Sequence, residues 1–488
     1  MTLLIINHKY QYEILKLTQI FFPNEKIDVL YDLSDAFNKD IVIKTEVTEC
    51  ELKVNFSSYE YNLSDRCLRA PDKNEELIMS SMLFKILKQV TGYTPKWGLL
   101  TGIRPSKLLR SCQNTQGKES ARKIFLNDFF VSEEKTDLTE SVAAAEEKII
   151  ARLPENSMSL YVSIPFCPSR CSYCSFVSHS METKTAELLV SDYIKLLCKE
   201  IKNTAQITKE LGLKAETVYF GGGTPTTLRA DELKALFDTV SESFDLSLIK
   251  EYTVEAGRPD TITAEKLKAL ISGGVTRISI NPQTFNNEVL KTIGRKHTWE
   301  LTEEKFLEAR SLGFNNINMD LIAGLPGDSY ESFCNSVNKA VSYNPENITV
   351  HTLALKRASN LGIKNGGVQI EKGVLADKML GFSYNKLTNS GYMPYYMYRQ
   401  AKSLGNLENT GYCKDGFQCL YNIYMMEECH SVFSVGAGAV TRLKHPKSGE
   451  IKRIFNHKYP YEYISRYSEL EERKKQIFPF FEQNFSRK

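Results

Sequence analysis

The stretch YVSIPFCPSRCSYCSF, residues 161–176, sets Cys167, Cys171 and Cys174 at spacings of four and three directly behind a short apolar run. That run, SLYVSIPF (159–166), reads as a strand, so the thiols fall in the loop at its carboxyl end, where α/β proteins place their chemistry. Pro165 and Pro168 stiffen the entry to the loop. A structural zinc site takes four ligands, commonly as two Cys-x-x-Cys pairs. A closed [4Fe-4S] site takes four thiolates. The later cysteines at 413, 419 and 429 supply no second such pair. Three thiolates on a four-iron cluster leave one iron with an open coordination position, which is what a reactive metal keeps. The alternatives are buried structural thiols, or zinc completed by a neighbour such as His179.

Outward from this loop, short apolar runs alternate with longer amphipathic ones. The strands are expected at 159–166, 217–223, 251–257, 277–283, 316–326 and 347–355. Between them lie helical stretches such as AELLVSDYIKLLCKEIKN, ADELKALFDTVSESF, TAEKLKALISGG and YESFCNSVNKAVSYN, several stopped by Gly or Pro. Such alternation is the signature of βα units on a parallel sheet. Six right-handed units are too few for an eight-stranded closure, so an open, partial (β/α)6 barrel is expected. Before it, DIVIKTEVTECELKVNF alternates with period two and NEELIMSSMLFKILKQVTG is helical, which predicts an α+β N-terminal domain over 1–155. The barrel spans 156–370. Composition then shifts toward Tyr, Met and Cys, and 371–488 is expected to be a C-terminal lobe covering the barrel.

At 488 residues the chain is long enough for two or three domains. Its 62 basic and 59 acidic residues give a net charge of only +3, so no whole-molecule field favours nucleic acid or a membrane surface. No segment reaches the ~20 apolar residues of a membrane span, and the N-terminus lacks a signal pattern. A cytoplasmic location is expected. The 11 cysteines are odd in number and lack the framework of a small secreted domain.

The motif Cys-x3-Cys-x2-Cys, followed by FGGGTPT at 220–226, resembles the radical S-adenosylmethionine (SAM) superfamily. In that superfamily SAM chelates the open iron of a [4Fe-4S] cluster. YVSIPFCPSRCSYC, VYFGGGTPT, TVEAGRPD, RISINPQTFNNEVLKTIGRKHT and NMDLIAGLPGD are similar to successive motifs of the oxygen-independent coproporphyrinogen III oxidases, also called coproporphyrinogen dehydrogenases. WGLLTGIRPSKL looks like the N-terminal extension of a long Gram-positive subgroup. The resemblance implies cluster ligands Cys167, Cys171 and Cys174. It places a first SAM against Tyr161, Gly222, Gly223, Thr224 and Glu255. It implies a second SAM beside Tyr173, Gln283, Arg295, Asp320 and Ala354, with Val440 as a further backbone neighbour.

The same resemblance implies a reaction. A radical made from SAM takes a hydrogen from the β-carbon of a propionate on coproporphyrinogen III; loss of carbon dioxide and one electron leaves a vinyl group. Two rounds give protoporphyrinogen IX for heme biosynthesis. A low-potential donor such as flavodoxin or ferredoxin would supply electrons, and a monomer is expected. A substrate with four carboxylates needs cations, and YYMYRQ offers Tyr395, Tyr396, Tyr398 and Arg399; a core strand with alternating aromatics reads equally well.

One position departs from the pattern. Members of the oxidase branch carry a fourth cysteine two residues after the third, and here that residue is Phe176. CSYCSF looks more like the heme-chaperone relatives, which opens heme binding and delivery as an alternative. Those relatives usually carry HNxxYW in the C-terminal region, whereas this chain reads LENTGYC. An anaerobic heme-degrading methyltransferase and a non-catalytic zinc protein are further readings.

Overall fold

The computed structural model describes residues 1–32, 40–70, 73–176, 179–182, 184–355 and 370–482. The chain forms two compact units where three domains were expected. One comprises Met1–Ala143, Gly362–Lys378 and Met397–Asn409, and the other Ala144–Leu361, Met379–Tyr396 and Thr410–Lys488. The boundary expected at 370 abuts residues 356–369, which lie outside the described residues.

The first unit holds strands β1 (Thr2–Ile6), β2 (Asp28–Leu30), β3 (Ile41–Val47), β4 (Glu51–Ser58) and β5 (Asn62–Leu68), in the order β2-β1-β3-β4-β5. β1 runs parallel to β2 and β3, while β3, β4 and β5 form an antiparallel meander. Period-two alternation turns Ile43, Leu52, Val54 and Phe56 toward the helices Gln11–Phe21 and Glu75–Thr91. Asn74 caps the second helix by accepting from the Leu77 amide, and Gly92, at φ 66°, ends it.

Below this apolar core sits a buried charge cluster. The Lys135 ammonium lies 2.8 Å from Glu408 and 3.5 Å from Asp377, with only 2% of its side chain exposed. The Trp97 indole donates to the second Glu408 oxygen at 2.8 Å. Burial pushes the Glu408 carboxyl up, but Lys135 and Trp97 outweigh it and hold the group below its usual range. Arg399 is consumed in the same unit: it donates to the carbonyls of Leu100 (2.6 Å), Gly102 (3.3 Å) and Asn406 (3.2 Å). Of the two readings of YYMYRQ, the core strand prevails, with Tyr395 and Tyr396 buried.

The second unit is built on the sheet that the sequence pattern anticipated. Its strands are β6 (Ser157–Ile164), β9 (Lys214–Gly222), β10 (Glu251–Glu255), β11 (Arg277–Ser279), β12 (Ile317–Ala323) and β13 (Asn347–Thr352), all parallel and adjacent in that order. A short two-stranded ribbon of β7 (Phe166–Cys167) and β8 (His179–Ser180) brackets the cysteine loop. Helices after the strands start at side-chain caps, Thr263, Asn286, Thr298 and Ser329, each accepting from a main-chain amide of its first turn.

Residues 371–488, expected as a covering lobe, add strands at both edges of this sheet. β14 (Met393–Arg399) and β15 (Glu408–Cys413) extend the sheet beyond β13, and β16 (Ser431–Val435), β17 (Val440–Lys444) and β18 (Ile451–Phe455) extend it beyond β6. β16 pairs parallel to β6, in register from Ser431↔Met158 to Val435↔Val162. SVFSV is buried throughout because it is a central strand, and a short apolar run does not announce that without its partner. The sheet is open, so the fold is a partial barrel. Among the described residues no helix is long and apolar enough to cross a membrane.

Breaking a buried ion pair by removing one partner strands the other charge. Lys135→Met should lower the unfolding free energy of the full chain by about 3–5 kcal/mol. Urea denaturation should show the Lys135→Met/Glu408→Gln double variant to be less destabilised than the sum of the singles.

Candidate active site

The parallel strands present two chemically different faces. Leu160, Val162, Ile164, Val218, Phe220, Val254 and Ile278 point one way and are buried, and Phe220 meets Phe237 of the helix Ala230–Ser243 edge-on at 5.4 Å. The alternate positions are Tyr161 and Ser163, Tyr219 and Gly221, Thr253 and Glu255, Asn318 and Asp320, Thr349 and His351. Register sets them side by side, as Tyr161↔Tyr219 and Asp320↔Thr349 show. A parallel sheet covered by helices on both faces reads as continuous apolar runs. Polar alternation here marks a lumen made for a polar occupant.

Tyr161 and Tyr219 stack in that lumen at 6.1 Å, and Tyr421 lies against Tyr219 at 4.3 Å. The Tyr219 hydroxyl donates to Glu255 at 2.6 Å. Among the described residues no lysine or arginine pairs with Glu255, and burial pushes its carboxyl up to about 7, with Asp320 adding to the rise and the Tyr219 hydrogen bond and His351 opposing it. Asp320 is likewise half-buried, and there His351 at 3.6 Å and the Asn318 amide at 2.7 Å outweigh burial and hold it below the carboxylate range. The two acids differ because His351 and the Asn318 amide stand against Asp320, while Glu255 receives the Tyr219 hydroxyl.

The cysteine loop is pinned from several sides. The Ser172 amide donates to Ile293 (2.9 Å), Cys174 to Cys171 (3.2 Å) and Met181 to Cys167 (2.9 Å). Cys171 is buried, and Cys167 and Cys174 are half-buried. Burial pushes the Cys174 thiol up to about 11, and the nearness of Cys171 and Cys167 adds to it. Such thiols lose their protons readily only to a metal. Among the described residues no three His, Cys, Asp or Glu side chains converge on a point suited to a single ion. Cluster thiolates need no such point, since each holds a different iron. His179 sits on β8, its ring edge-on to Tyr459 and Tyr461.

The Gly-rich segment closes on this loop. Gly222 ends β9, the Gly223 amide donates to Ile164 at 2.8 Å, and the Thr224 amide donates to Phe166 at 2.7 Å. A Cβ on Gly223 would stand 2.5 Å from the Phe166 carbonyl oxygen, so only glycine permits the closure. The Thr224 hydroxyl lies 3.5 Å from the Cys167 sulfur. A Cβ on Gly221 would stand 3.2 Å from the Glu255 carboxyl.

Tyr173 is half-buried within the loop and hydrogen-bonds Arg295. Arg295 donates to the Asn281 carbonyl at 2.6 Å, while its Nε, the Asn281 Oδ1 and the Ser172 hydroxyl are buried and find no partner. Gln283 holds φ at 67°, a strained conformation for a non-glycine residue, and its amide donates to the Asp320 carbonyl at 2.8 Å. Ala354 follows β13 and is half-buried. Val440 opens β17; the nearer part of its motif is Ala437, whose carbonyl accepts from the Ser163 hydroxyl at 2.8 Å. Thus the carboxyl ends of β6, β9, β10 and β12 gather most of the expected residues. Sequence reasoning missed Tyr219, Tyr421, Arg258, Asp260 and His351. TVEAGRPD contained Arg258 and Asp260, one and three residues beyond the strand-end AG, but nothing in the spacing assigned them work.

These residues fit a cluster with SAM. Three neighbouring thiols share a pinned loop, a half-buried carboxylate has no lysine or arginine beside it among the described residues, and unpaired polar atoms face the same strand ends. Glu255 makes the fit testable through pH. Its folded pKa lies above its unfolded value, so between about pH 4.5 and 7 the folded chain binds more protons and loses stability as pH rises. Glu255→Gln should stabilise the cofactor-free chain at pH 8 by on the order of 3 kcal/mol. The gain should shrink toward zero near pH 5 in urea melts, while SAM retention by the loaded protein falls.

Comparison with known proteins agrees with this geometry. Residues 161–340 match the radical SAM superfamily. The chain is 39% identical over 403 residues to the oxygen-independent coproporphyrinogen-III oxidase-like protein HemZ of Bacillus subtilis, covering 81% of this chain and 79% of that one. A match of that length reaches well into the N-terminal unit. The heme chaperone HemW of Bacillus subtilis is 34% identical over 289 residues, covering 58% of this chain and 70% of its own. Among solved structures, coproporphyrinogen III oxidase HemN from Escherichia coli, a radical SAM enzyme, superimposes with a TM-score of 0.52 at 24% identity, over 67% of this chain and 72% of that one. The chain belongs to the radical SAM superfamily and, within it, to the coproporphyrinogen-oxidase-like family.

Proposed function

We propose that Cys167, Cys171 and Cys174 ligate the [4Fe-4S] cluster of this family, and that the chain carries out oxidative decarboxylation of two propionates of coproporphyrinogen III to vinyl groups. The observation that carries the reading is the Glu255 carboxyl, half-buried among three stacked tyrosines with no lysine or arginine beside it among the described residues, near a pinned three-thiol loop. Together, cluster and SAM supply a carbon-centred radical able to remove hydrogen from an unactivated carbon. The protein's share is binding, orientation and exclusion of water.

Glu255 offers its charge to the methionine ammonium or ribose of SAM, and that pairing would return its carboxyl to the ionised state. Tyr161, Tyr219 and Tyr421 give an apolar wall that keeps water from the lumen. Thr224 and the amides that follow Gly222 border the same space. A second SAM would lie by Tyr173, Gln283, Arg295, Asp320 and Ala354, where the Arg295 Nε still lacks a partner. A flavodoxin or ferredoxin would deliver electrons.

Heme handling without oxidase turnover is the second reading, favoured by Phe176, which is 66% exposed where the oxidase branch has its fourth cysteine. The likeness to heme chaperones points the same way. Anaerobic incubation with reductant, SAM and coproporphyrinogen III should yield vinyl products by mass spectrometry, with carbon dioxide released. Formation of 5'-deoxyadenosine without carbon dioxide would reject the oxidase reading while leaving the radical chemistry standing. Cys171→Ser should take the iron content from about four per chain to near zero and abolish SAM cleavage.

A further inference from the structure

Arg258 follows β10 in the loop GRPD and is 3% exposed. Its Nε and Nη2 grip Asp260 in a fork, at 2.9 and 2.8 Å. Nη2 also donates to the Ser169 hydroxyl at 3.2 Å. Nη1 is aimed at the cysteine loop, 3.4 Å from the Ser169 carbonyl and 3.6 Å from the Cys171 sulfur. The backbone beneath it is equally fixed. The Thr261 amide and hydroxyl both bind the Arg258 carbonyl, at 2.9 and 2.7 Å, and the Thr261 hydroxyl meets that of Thr226 at 2.7 Å. His297, its side chain fully buried, stands 3.7 Å behind Asp260.

An arginine needed only to hold the loop would finish at Ser169. This one goes on to a sulfur, and Cys171 is the one buried thiol of the three, where no water competes for the donor. We propose that Arg258 is a positioning residue that donates an N–H···S hydrogen bond to the Cys171 thiolate and thereby raises the reduction potential of the cluster. The inference rests on the cluster ligation proposed above. Reduction adds negative charge that spreads onto the thiolate sulfurs, so a donor fixed on one of them favours the reduced state; hydrogen bonds to sulfur are among the determinants of such potentials. Asp260 fixes the fork in place, and since it neutralises the guanidinium charge, the hydrogen bond itself is left as the main effect.

The test is a redox titration of anaerobically reconstituted full-length protein, followed by electron paramagnetic resonance without SAM. Arg258→Met, loaded to about four iron, should have a lower midpoint, by about a tenfold change in the one-electron equilibrium, ~59 mV. Its Fe–S(Cys) stretching band in resonance Raman should move up as the bond to sulfur strengthens. Arg258→Lys keeps the charge but cannot span Asp260 and the sulfur together, so it should fall between the two. An unchanged midpoint in loaded Arg258→Met overturns the inference. If the methionine variant does not load, a wild-type midpoint and Raman band in loaded Arg258→Lys overturn it instead. Wild-type protein without iron and acid-labile sulfide would sink the cluster reading itself, a result separate from either.

Discussion

The parallel pairing of β6 with β9 is the constraint on which the site depends. Its register runs from Ser157↔Lys214 to Ile164↔Gly222, and past its end the Gly223 and Thr224 amides go on to bind the Ile164 and Phe166 carbonyls. Two chain segments that would part as ordinary loops are thereby held together for four more residues. The cysteine loop leaves from one and the threonine that touches Cys167 from the other. Glycine is required because the carbonyl of Phe166 occupies the place of a side chain. Precision in the thiol positions thus comes from backbone hydrogen bonds, which are more rigid than any side-chain brace.

Much of this was legible in the sequence because parallel βα units are local. After the longer first unit, each strand, its turn and its helix lie within ~30–40 residues, and caps such as Thr263 and Ser329 mark helix starts. All six strands form, though β11 stops at Ser279 and resumes only as a single bridge at Gln283, whose positive φ breaks the run. The three-thiol loop was legible because its cysteines fall within eight residues directly behind a strand. What stayed hidden was non-local. β16 lies 267 or more residues after its partner β6 in the chain, and a five-residue apolar run carries no mark of where it will pair. Arg258 and Tyr421 were hidden for the same reason, since a side chain's work is fixed by what the fold brings opposite it.

The lumen shows how burial sorts identical groups into different roles. Glu251 and Glu255 on β10 and Asp320 on β12, two strands away, are carboxylates of one sheet. Asp320 has His351 and Asn318; Glu251 accepts the Leu420 and Tyr421 amides at 2.8 and 3.2 Å and the Cys419 thiol at 3.3 Å. Both are satisfied within the protein. Among the described residues Glu255 has one tyrosine hydroxyl and no lysine or arginine, the most costly of the three environments for an ionised acid. A fold that satisfies two of three such groups shows that it has the means, so the third stands out as a group held for something that arrives from outside.

Glu251 also explains why the C-terminal region is not a separate lobe. By accepting two amides it supplies the N-terminal cap that the helix Leu420–Glu427 lacks in its own Cys419, so that helix is tied to the amino end of β10. The tie brings Tyr421 onto Tyr219, ring against ring at 4.3 Å. Beyond the helix, β16 pairs with β6, so the same short stretch is held at one end by a charge and at the other by a full set of strand hydrogen bonds.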